Sequence, residues 1–256
     1  MENRTALITG AAGHLGRRLC EDLASEGVNL VLVDKNPGAV ESFSEDIAGK
    51  FGTTNISLSV DLLRKDSFAE IEKAVSASFD SVDYVVNNAA FYDDCPGWGV
   101  PFEEEGYDAW MKVMQVNLLA PFFVCQSLYS LLQKSDVPSI VNVSSMYGAI
   151  APDPSLYEGL NMTNPAAYAA SKGGLIQMSK WMSTMLTAPI RVNSISPGGI
   201  ERGHSEQFLE RYNKRVPLGR MTTEAEVSRA IRFLLSEDSS YITGQNLMVD
   251  GGWTAW

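Results

Sequence analysis

Short apolar segments of strand length alternate with longer segments of helical periodicity along the whole chain. The segment VNLVLV at residues 28–33 is apolar except for one asparagine, which is typical of a strand covered on both faces. This alternation predicts a parallel sheet with helices on both faces, because each parallel connection needs a crossover. The predicted strands are 4–9, 28–33, 56–60, 82–86, 139–144, 190–195 and 246–249, and the predicted helices are 15–26, 38–50, 65–78, 106–132, 166–186 and 223–235.

The length of 256 residues, without a linker or a repeat, predicts one doubly wound α/β domain over residues 1–256. Three stretches lack clear periodicity: 90–105, 146–165 and 198–216, the last with weak helical character. Open α/β sheets bind ligands at the carboxyl ends of their strands. We therefore expect these irregular stretches to border a ligand site.

Charge and hydropathy exclude two classes of partner. The sequence has 20 basic and 31 acidic residues, and its net charge of −11 repels a phosphate backbone. A nucleic acid is therefore not expected as a partner. No apolar run reaches the roughly 18 residues that a membrane helix needs, so no association with a membrane is expected.

The cysteines and histidines are too few and too scattered for a disulfide framework or a metal centre. Cys20, Cys95 and Cys125 form no CxxC pattern, and His14 and His204 are the only histidines. We therefore expect reduced thiols, no bound metal and a cytoplasmic location.

A glycine-rich segment, TGAAGHLG at residues 9–16, lies between the first predicted strand and the first predicted helix. Gly10 permits a tight turn, Gly13 allows close approach of a pyrophosphate, and Gly16 lets helix and strand pack closely. A βα turn without a ligand is the alternative, but the strand–loop–helix context favours a dinucleotide site. The expected contacts in this segment are Gly10, Gly13, His14, Leu15 and Gly16.

Asp34 closes the second predicted strand, where a carboxylate can accept hydrogen bonds from both hydroxyls of an adenosine ribose. The same charge repels a 2′-phosphate, so Asp34 predicts NAD rather than NADP as the cofactor. Lys35 beside it weakens this preference, and an ordinary strand-end aspartate is the alternative. Asp61 and Leu62, after the third predicted strand, are expected to frame the adenine.

Six motifs, in order and in register, resemble those of the short-chain dehydrogenase/reductase family, and the resemblance covers essentially the whole chain. The resemblance implies a Rossmann domain with about seven parallel strands and an oxidoreductase that uses a nicotinamide cofactor. The motifs are NNAA at 87–90, Asn117 in QVNLLAPF, VNVSS at 141–145, YAASK at 168–172, SPGGI at 196–200 and YITGQNLMVDGG at 241–252.

Tyr168 and Lys172 are four residues apart on a predicted helix and therefore project from one face. A free tyrosine has a pKa of about 10 and is a poor base at neutral pH, but a nearby ammonium favours its phenolate. The resemblance implies that Tyr168 exchanges a proton with the substrate and that Ser145 stabilises the substrate oxygen. It also implies that Lys172 holds the nicotinamide ribose and that Asn117 holds a water linked to Lys172. Ser144 competes with Ser145 for the serine role.

The resemblance extends to the rest of the cofactor site and to assembly. Family members assemble as dimers or tetramers through two long helices, here 106–132 and 166–186, so a homotetramer or homodimer is expected. The further residues expected to contact NAD are Asn88, Ala89, Ala90, Tyr168, Lys172, Pro197, Gly198 and Ile200.

Two features depart from the classical pattern of the family. The glycine register is TGxxGxxG, with His14 at the classical second-glycine position, which is similar to extended members that act on nucleotide sugars. The interval between Ser145 and Tyr168 is longer than in classical members, because residues 146–165 contain an insertion. The chain length and the C-terminal segment remain classical.

The insertion (146–165) and the lid (198–216) are expected to form the substrate wall. Polar side chains in the insertion (Tyr147, Asp153, Tyr157, Glu158 and Asn161) favour a polyol or sugar over a steroid or acyl chain, and a solvated loop is the alternative. Residues 201–220 hold five basic and three acidic side chains, which favours an anionic substrate. A helix with internally compensated charges is the alternative. The expected substrate contacts are Ser145, Tyr147, Tyr157, Gly198, Arg202 and His204.

Together these features predict an NAD(H)-dependent oxidoreductase that interconverts a secondary alcohol and a ketone. The preferred substrate class is a carbohydrate: a sugar, sugar phosphate, nucleotide sugar or sugar acid. The chain is also similar to oxidoreductases of bacterial surface-sugar and flagellin-glycan pathways. A nucleotide-sugar epimerase or dehydratase with bound NAD is one alternative, and a dinucleotide-binding regulatory protein without catalysis is another.

Overall fold

The computed structural model describes residues 1–91, 99–160, 162–186 and 189–256. These residues form a parallel sheet of seven strands in the order β3-β2-β1-β4-β5-β6-β7. The predicted doubly wound α/β fold is therefore confirmed. The strands are β1 (Thr5–Thr9), β2 (Asn29–Asp34), β3 (Asn55–Ser59), β4 (Tyr84–Asn87), β5 (Ser139–Val143), β6 (Arg191–Pro197) and β7 (Asn246–Val249).

Helices cover both faces of the sheet, and each face has its own apolar cluster. Alternate residues of a strand point to opposite faces, so Ala6 and Ile8 pack with α1, α2 and α9, whereas Leu7 packs with α3 and α5. The helices in the described residues are α1 (His14–Ala24), α2 (Pro37–Phe51), α3 (Ser67–Ser78), α4 (Tyr107–Met114), α5 (Ala120–Ser127), α6 (Tyr129–Leu132), α7 (Ala166–Met185), α8 (Glu206–Arg215) and α9 (Glu224–Leu235).

The prediction of one continuous helix over 106–132 is wrong. α4 ends at Met114, a π-helical stretch follows over Gln115–Leu119, and α5 begins at Ala120. A π-helical turn adds one residue without changing the apolar or polar character of its neighbours, so periodicity alone does not reveal it. The stretch carries Asn117, which is fully buried.

The insertion and the lid lie together at the carboxyl edge of the sheet, where they share one apolar cluster. The insertion contains two short 3₁₀ turns, Met146–Gly148 and Pro154–Leu156. The lid contains more regular structure than its sequence predicts, because Ser205 caps α8 by accepting a hydrogen bond from the Phe208 amide.

The thiols in the described residues are buried. Cys20 and Cys125 are free cysteines, and Cys95 lies outside the described residues. Burial raises the pKa of Cys125 to about 12 and also raises the pKa of Cys20.

No helix in the described part of the chain is both long and apolar enough to cross a bilayer.

Candidate active site

A cavity of about 740 Å³ opens at the carboxyl edge of the sheet. It brings together all the residues that the sequence assigns to the cofactor or the substrate, although these residues are spread over most of the chain. They are Gly10, Gly13, His14, Leu15, Gly16, Asp34, Asp61, Leu62, Asn88, Ala89, Ala90, Ser145, Tyr147, Tyr157, Tyr168, Lys172, Pro197, Gly198, Ile200, Arg202 and His204.

The glycine-rich loop has no room for side chains at two of its positions. A Cβ at Gly16 would lie 2.1 Å from the carbonyl oxygen of Gly10, and a Cβ at Gly10 would lie 2.9 Å from the Cα of Ala89. Gly10 also has a φ of +65°, in the left-handed region that favours glycine. The loop is thus a tight backbone turn against the start of α1.

The start of α1 suits a pyrophosphate. Gly13 is its N-cap and supplies no side-chain cap, so the first-turn amides keep their donors toward the cavity. Such amides, together with the positive end of the helix dipole, stabilise phosphate groups. The loop and helix therefore fit a dinucleotide.

Thr9 and Asn88 lock this loop to the end of β4. The Thr9 hydroxyl accepts hydrogen bonds from the amides of Asn88 and Ala89, at 3.1 and 3.0 Å. The Asn88 side-chain amide donates to the carbonyl oxygens of Thr9 and Gly10, at 3.0 and 3.1 Å. Sequence reasoning missed the role of Thr9, although its position directly before Gly10 was the available signal.

Asp34 lies at the end of β2, on the rim of the cavity. Its carboxylate accepts hydrogen bonds from the amides of Ala12 and Asn36, at 3.0 and 3.1 Å. These two bonds fix the carboxylate beside the glycine-rich loop, where the adenosine ribose of a dinucleotide lies. The geometry therefore suits NAD and opposes a 2′-phosphate.

The catalytic candidates converge from β5 and α7. Tyr168 and Lys172 lie one turn apart on α7 and are both buried, with the lysine Nζ 5.8 Å from the centre of the tyrosine ring. Lys172 donates a hydrogen bond of 2.7 Å to the carbonyl oxygen of Val143, the last residue of β5. Because an ammonium near a phenol favours the phenolate, this pair can take up and return a proton.

The two adjacent serines after β5 have different partners. The Ser144 hydroxyl donates a 2.8 Å hydrogen bond to the carbonyl oxygen of Lys172 and so ties β5 to α7. The Ser145 hydroxyl accepts a hydrogen bond from the Tyr147 amide, at 3.2 Å, which leaves its proton available to a substrate oxygen. The geometry therefore favours Ser145 over Ser144 for the catalytic role.

Asn117 does not line the cavity, unlike its neighbour Val116. Its side-chain oxygen accepts from the Phe91 amide, at 2.8 Å, and its nitrogen donates to the Phe91 carbonyl and the Ser171 hydroxyl. The side chain thus holds the segment after β4 against α7. Its role in holding a water near Lys172 stays a prediction.

The part of the cavity lined by the insertion and the lid is called the substrate end below. It contains more aromatic and methionine side chains than the sequence analysis predicts. Tyr147 and Tyr157 face it, but Asp153 and Glu158 do not line it, and Asn161 lies outside the described residues. Asp153 instead pairs with Arg215, and hydrogen bonds from Ser155 together with Arg215 lower its pKa. The lining residues that sequence reasoning missed are Met146, Met162, Phe208, Tyr212 and Met221.

Residues 201–220 carry five basic side chains, and each has a partner within the described chain, although Arg202, Arg215 and Arg220 pair with acidic residues outside this segment. Arg202 pairs with Glu224, Lys214 with Glu210, Arg215 with Asp153 and Arg220 with Glu226, and Arg211 donates to backbone carbonyls. The excess of basic residues therefore does not by itself indicate an anionic substrate.

Known proteins resemble the chain over almost its full length. A family model described as enoyl-(acyl carrier protein) reductase matches residues 10–254. The chain is 34% identical to the 3-oxoacyl-[acyl-carrier-protein] reductase FabG of Thermotoga maritima, with 98% of each chain covered. It is 28% identical to the post-translational flagellin modification protein A of Campylobacter coli, with 99% of each covered. A solved structure of NAD⁺-bound xylitol dehydrogenase matches with a TM-score of 0.85 and 28% identity, covering 98% of this chain and 99% of that one.

The parallel sheet of seven strands agrees with the match to the solved structure. The family model spans nearly the whole sequence, and the Thermotoga maritima relative shares more than 30% of its residues with it. The chain therefore belongs to the short-chain dehydrogenase/reductase family and is an oxidoreductase that acts on CH–OH groups.

Proposed function

We propose that the protein is an NAD(H)-dependent dehydrogenase/reductase that interconverts a secondary alcohol and a ketone on a carbohydrate or polyol. The observation that carries this proposal is the single cavity in which Ser145, Tyr168 and Lys172 meet the glycine-rich loop and Asp34. The NAD⁺-bound relative agrees with the choice of cofactor that Asp34 predicts.

The chain's residues divide the proton chemistry between them. NAD(H), when bound, accepts or supplies the hydride. In oxidation Tyr168 takes the proton of the substrate hydroxyl, and in reduction it returns that proton to the ketone oxygen. Ser145 donates a hydrogen bond to the same oxygen and stabilises the charge that develops there. Lys172 stabilises the phenolate and, as the family resemblance implies, holds the nicotinamide ribose.

The carbohydrate assignment rests on the presence of both aromatic rings and hydroxyl groups at the substrate end. Aromatic rings line that end of the cavity, among them His204 and Phe208, and such rings can pack against the CH groups of a sugar. Tyr147 and Tyr157 offer hydroxyls to its polar groups. The xylitol dehydrogenase and flagellin modification relatives are compatible with such a substrate and with surface-sugar biosynthesis in the cytoplasm.

A second candidate is reduction of the ketone of a 3-oxoacyl thioester. It is favoured by the 34% sequence identity to the Thermotoga maritima reductase. The side chains of Met146, Met162 and Met221, which line the cavity, favour it as well. Flexible methionines pack well against an acyl chain.

A panel of substrates separates the two candidates when turnover is followed by the absorbance of the nicotinamide. The panel contains polyols, sugars, sugar phosphates, nucleotide sugars, sugar acids and 3-oxoacyl thioesters. Turnover of 3-oxoacyl thioesters alone would overturn the carbohydrate proposal.

Asp34→Asn is expected to raise the affinity for NADPH relative to NADH by about ten- to a hundredfold. Two unit charges about 4 Å apart repel by about 1 kcal/mol in water and by roughly 4 kcal/mol at an effective dielectric of 20. A carboxylate on the rim of the cavity falls between these limits, and the asparagine removes the repulsion. Fluorescence titration of both nucleotides measures the ratio. Asp46→Asn, an exposed change of equal charge on α2, is the control and should leave the ratio unchanged. Tighter binding of NADPH than of NADH by the wild type would contradict the role of Asp34.

We further propose that the protein is a homotetramer or homodimer. The outer faces of the π-helical stretch, α5 and α7 expose large apolar side chains, which are Leu119, Phe123, Trp181 and Met185. A monomer rarely leaves such a patch in water. Light scattering coupled to size-exclusion chromatography should give two or four times the chain mass of 27.9 kDa, and a monomeric mass would refute this assembly.

A further inference from the structure

We propose that the hydroxyl pair of Tyr147 and Tyr157 is a subsite for a second, non-reacting hydroxyl of the substrate, and that Arg211 is the residue that positions it. This inference rests on the proposed carbohydrate function and specifies which part of the substrate the insertion recognises. It concerns residues that lie outside the motifs shared with the family.

The tyrosine pair is linked directly to the catalytic serine. The two phenolic oxygens of Tyr147 and Tyr157 are 2.8 Å apart, and both residues line the cavity. The backbone amide of Tyr147 donates to the Ser145 hydroxyl. Tyr147 follows Ser145 by only two residues, and both tyrosines line the same cavity as Ser145 and Tyr168.

Arg211 of α8 holds the backbone on both sides of Tyr157. Its guanidinium Nη1 donates to the carbonyl oxygens of Leu156 and Glu158, at 3.2 and 2.6 Å. Phe208, one turn earlier on the same helix, packs its ring 6.1 Å from that of Tyr157. The position of Tyr157 in the cavity is therefore set by the lid helix and not by the insertion alone.

The start of the insertion is equally constrained. A Cβ at Gly148 would lie 2.6 Å from the carbonyl carbon of Lys172, so the turn that carries Tyr147 packs directly on the backbone of α7. Tyr147 is thus fixed from α7 and Tyr157 from α8. Two hydroxyls fixed from opposite sides form a preorganised contact, which loses little freedom when a substrate binds.

The chemistry of the pair suits a neutral hydroxyl. A phenol has one O–H donor and two acceptor lone pairs, so two phenols in contact can present both a donor and an acceptor to one group. A substrate hydroxyl uses both, whereas a carboxylate or phosphate oxygen uses only the donor. A second hydroxyl of a polyol meets this requirement, and a simple secondary alcohol does not.

Tyr157→Phe tests the subsite with xylitol and pentan-2-ol, which share a five-carbon chain and a secondary alcohol but differ in neighbouring hydroxyls. We expect the ratio of kcat/KM for xylitol to kcat/KM for pentan-2-ol to fall by about three- to tenfold, the size of one neutral hydrogen bond. Tyr147→Phe should lower the same ratio. The double variant should fall little further, because the two hydroxyls act as one unit. Tyr241→Phe, a fully exposed change, is the control.

Arg211→Met tests the positioning role. It is expected to raise the KM for xylitol by about three- to tenfold with a smaller change in kcat, because binding geometry is lost while the proton chemistry is retained. Arg211→Lys should restore part of the affinity, since an ammonium can still donate to one of the two carbonyls. Lys214→Met is the matched control, because Lys214 pairs with Glu210 within α8.

The outcomes separate this inference from the function on which it rests. If the wild type oxidises pentan-2-ol but neither xylitol nor any other polyol or sugar, the carbohydrate function fails and the subsite fails with it. If xylitol is preferred but both tyrosine variants leave the ratio unchanged, only the subsite is refuted. An unchanged KM for xylitol in Arg211→Met would refute the positioning role alone.

Discussion

Tyr168→Phe is expected to lower kcat by about a hundred- to ten-thousandfold, which is the range that a positioned general acid or base contributes. The phenylalanine retains the buried ring on α7 and removes only the group that exchanges the proton. The dissociation constant of NADH should change by less than about tenfold, because at most one hydrogen bond to the dinucleotide is lost. Steady-state kinetics and a fluorescence titration with NADH measure the two effects.

The contrast between these two measurements is the critical result for Tyr168. Tyr241→Phe removes a hydroxyl from a fully exposed tyrosine and should change neither value, so it controls for the substitution itself. A Tyr168→Phe variant that keeps its turnover within a few-fold of the wild type would end the acid/base assignment. It would also favour the alternative of a regulatory protein that binds a dinucleotide without catalysis.

Gly16→Ala is expected to weaken NADH binding by more than about tenfold and to lower the free energy of unfolding by about 1–3 kcal/mol. The added Cβ would lie 2.1 Å from the Gly10 carbonyl oxygen and 2.9 Å from the Cα of Ala11. Both atoms belong to the backbone, so no side-chain rotation relieves the overlap, and the glycine-rich loop must move away from α1. Thermal or chemical unfolding and an NADH titration measure the two losses.

Gly49→Ala is the matched control for the glycine-rich loop. Gly49 lies inside α2, and no atom other than its chain neighbours and the backbone of its own helix lies within 4 Å of the position of its added Cβ. Alanine there should raise the free energy of unfolding by about 0.5–1 kcal/mol, because glycine is the poorer helix former. Equal destabilisation by the two substitutions would refute the packing argument for Gly16.

Features that depend on neighbouring residues in the sequence were predictable from it. The strands β1, β2 and β4 stand out because they are buried on both faces, so their sequences are nearly continuous apolar runs. The edge strands β3 and β7 are only partly buried. Tyr168 and Lys172 were predictable because a four-residue spacing on a helix places them on one face whatever surrounds them. Asp34 was predictable because it ends a strand whose position was already evident.

Features that depend on contacts between distant segments were not predictable. From the sequence alone, Arg211 is one of several charged residues on a polar helix. Its hydrogen bonds to the carbonyl oxygens on either side of Tyr157 are seen only in the folded structure. The sequence does not show the pairing of Arg202 with Glu224 either. Because of this pair, the positive charge of Arg202 is no argument for an anionic substrate. Phe208 and Tyr212 were accessible in principle, because their spacing gives α8 an apolar face.

The close contact between Gly148 and the backbone of Lys172 has a consequence for how substrate preference can change. The chain is held firmly up to this contact and again from the start of α7 at Ala166. The reacting groups Ser145, Tyr168 and Lys172 therefore belong to the rigid frame, and residues 149–164 connect two fixed points. Because Arg211 and Phe208 of α8 hold Tyr157 from outside this segment, the segment and α8 form one exchangeable unit. A relative that receives both is expected to keep its own chemistry and to take on the donor's choice of substrate.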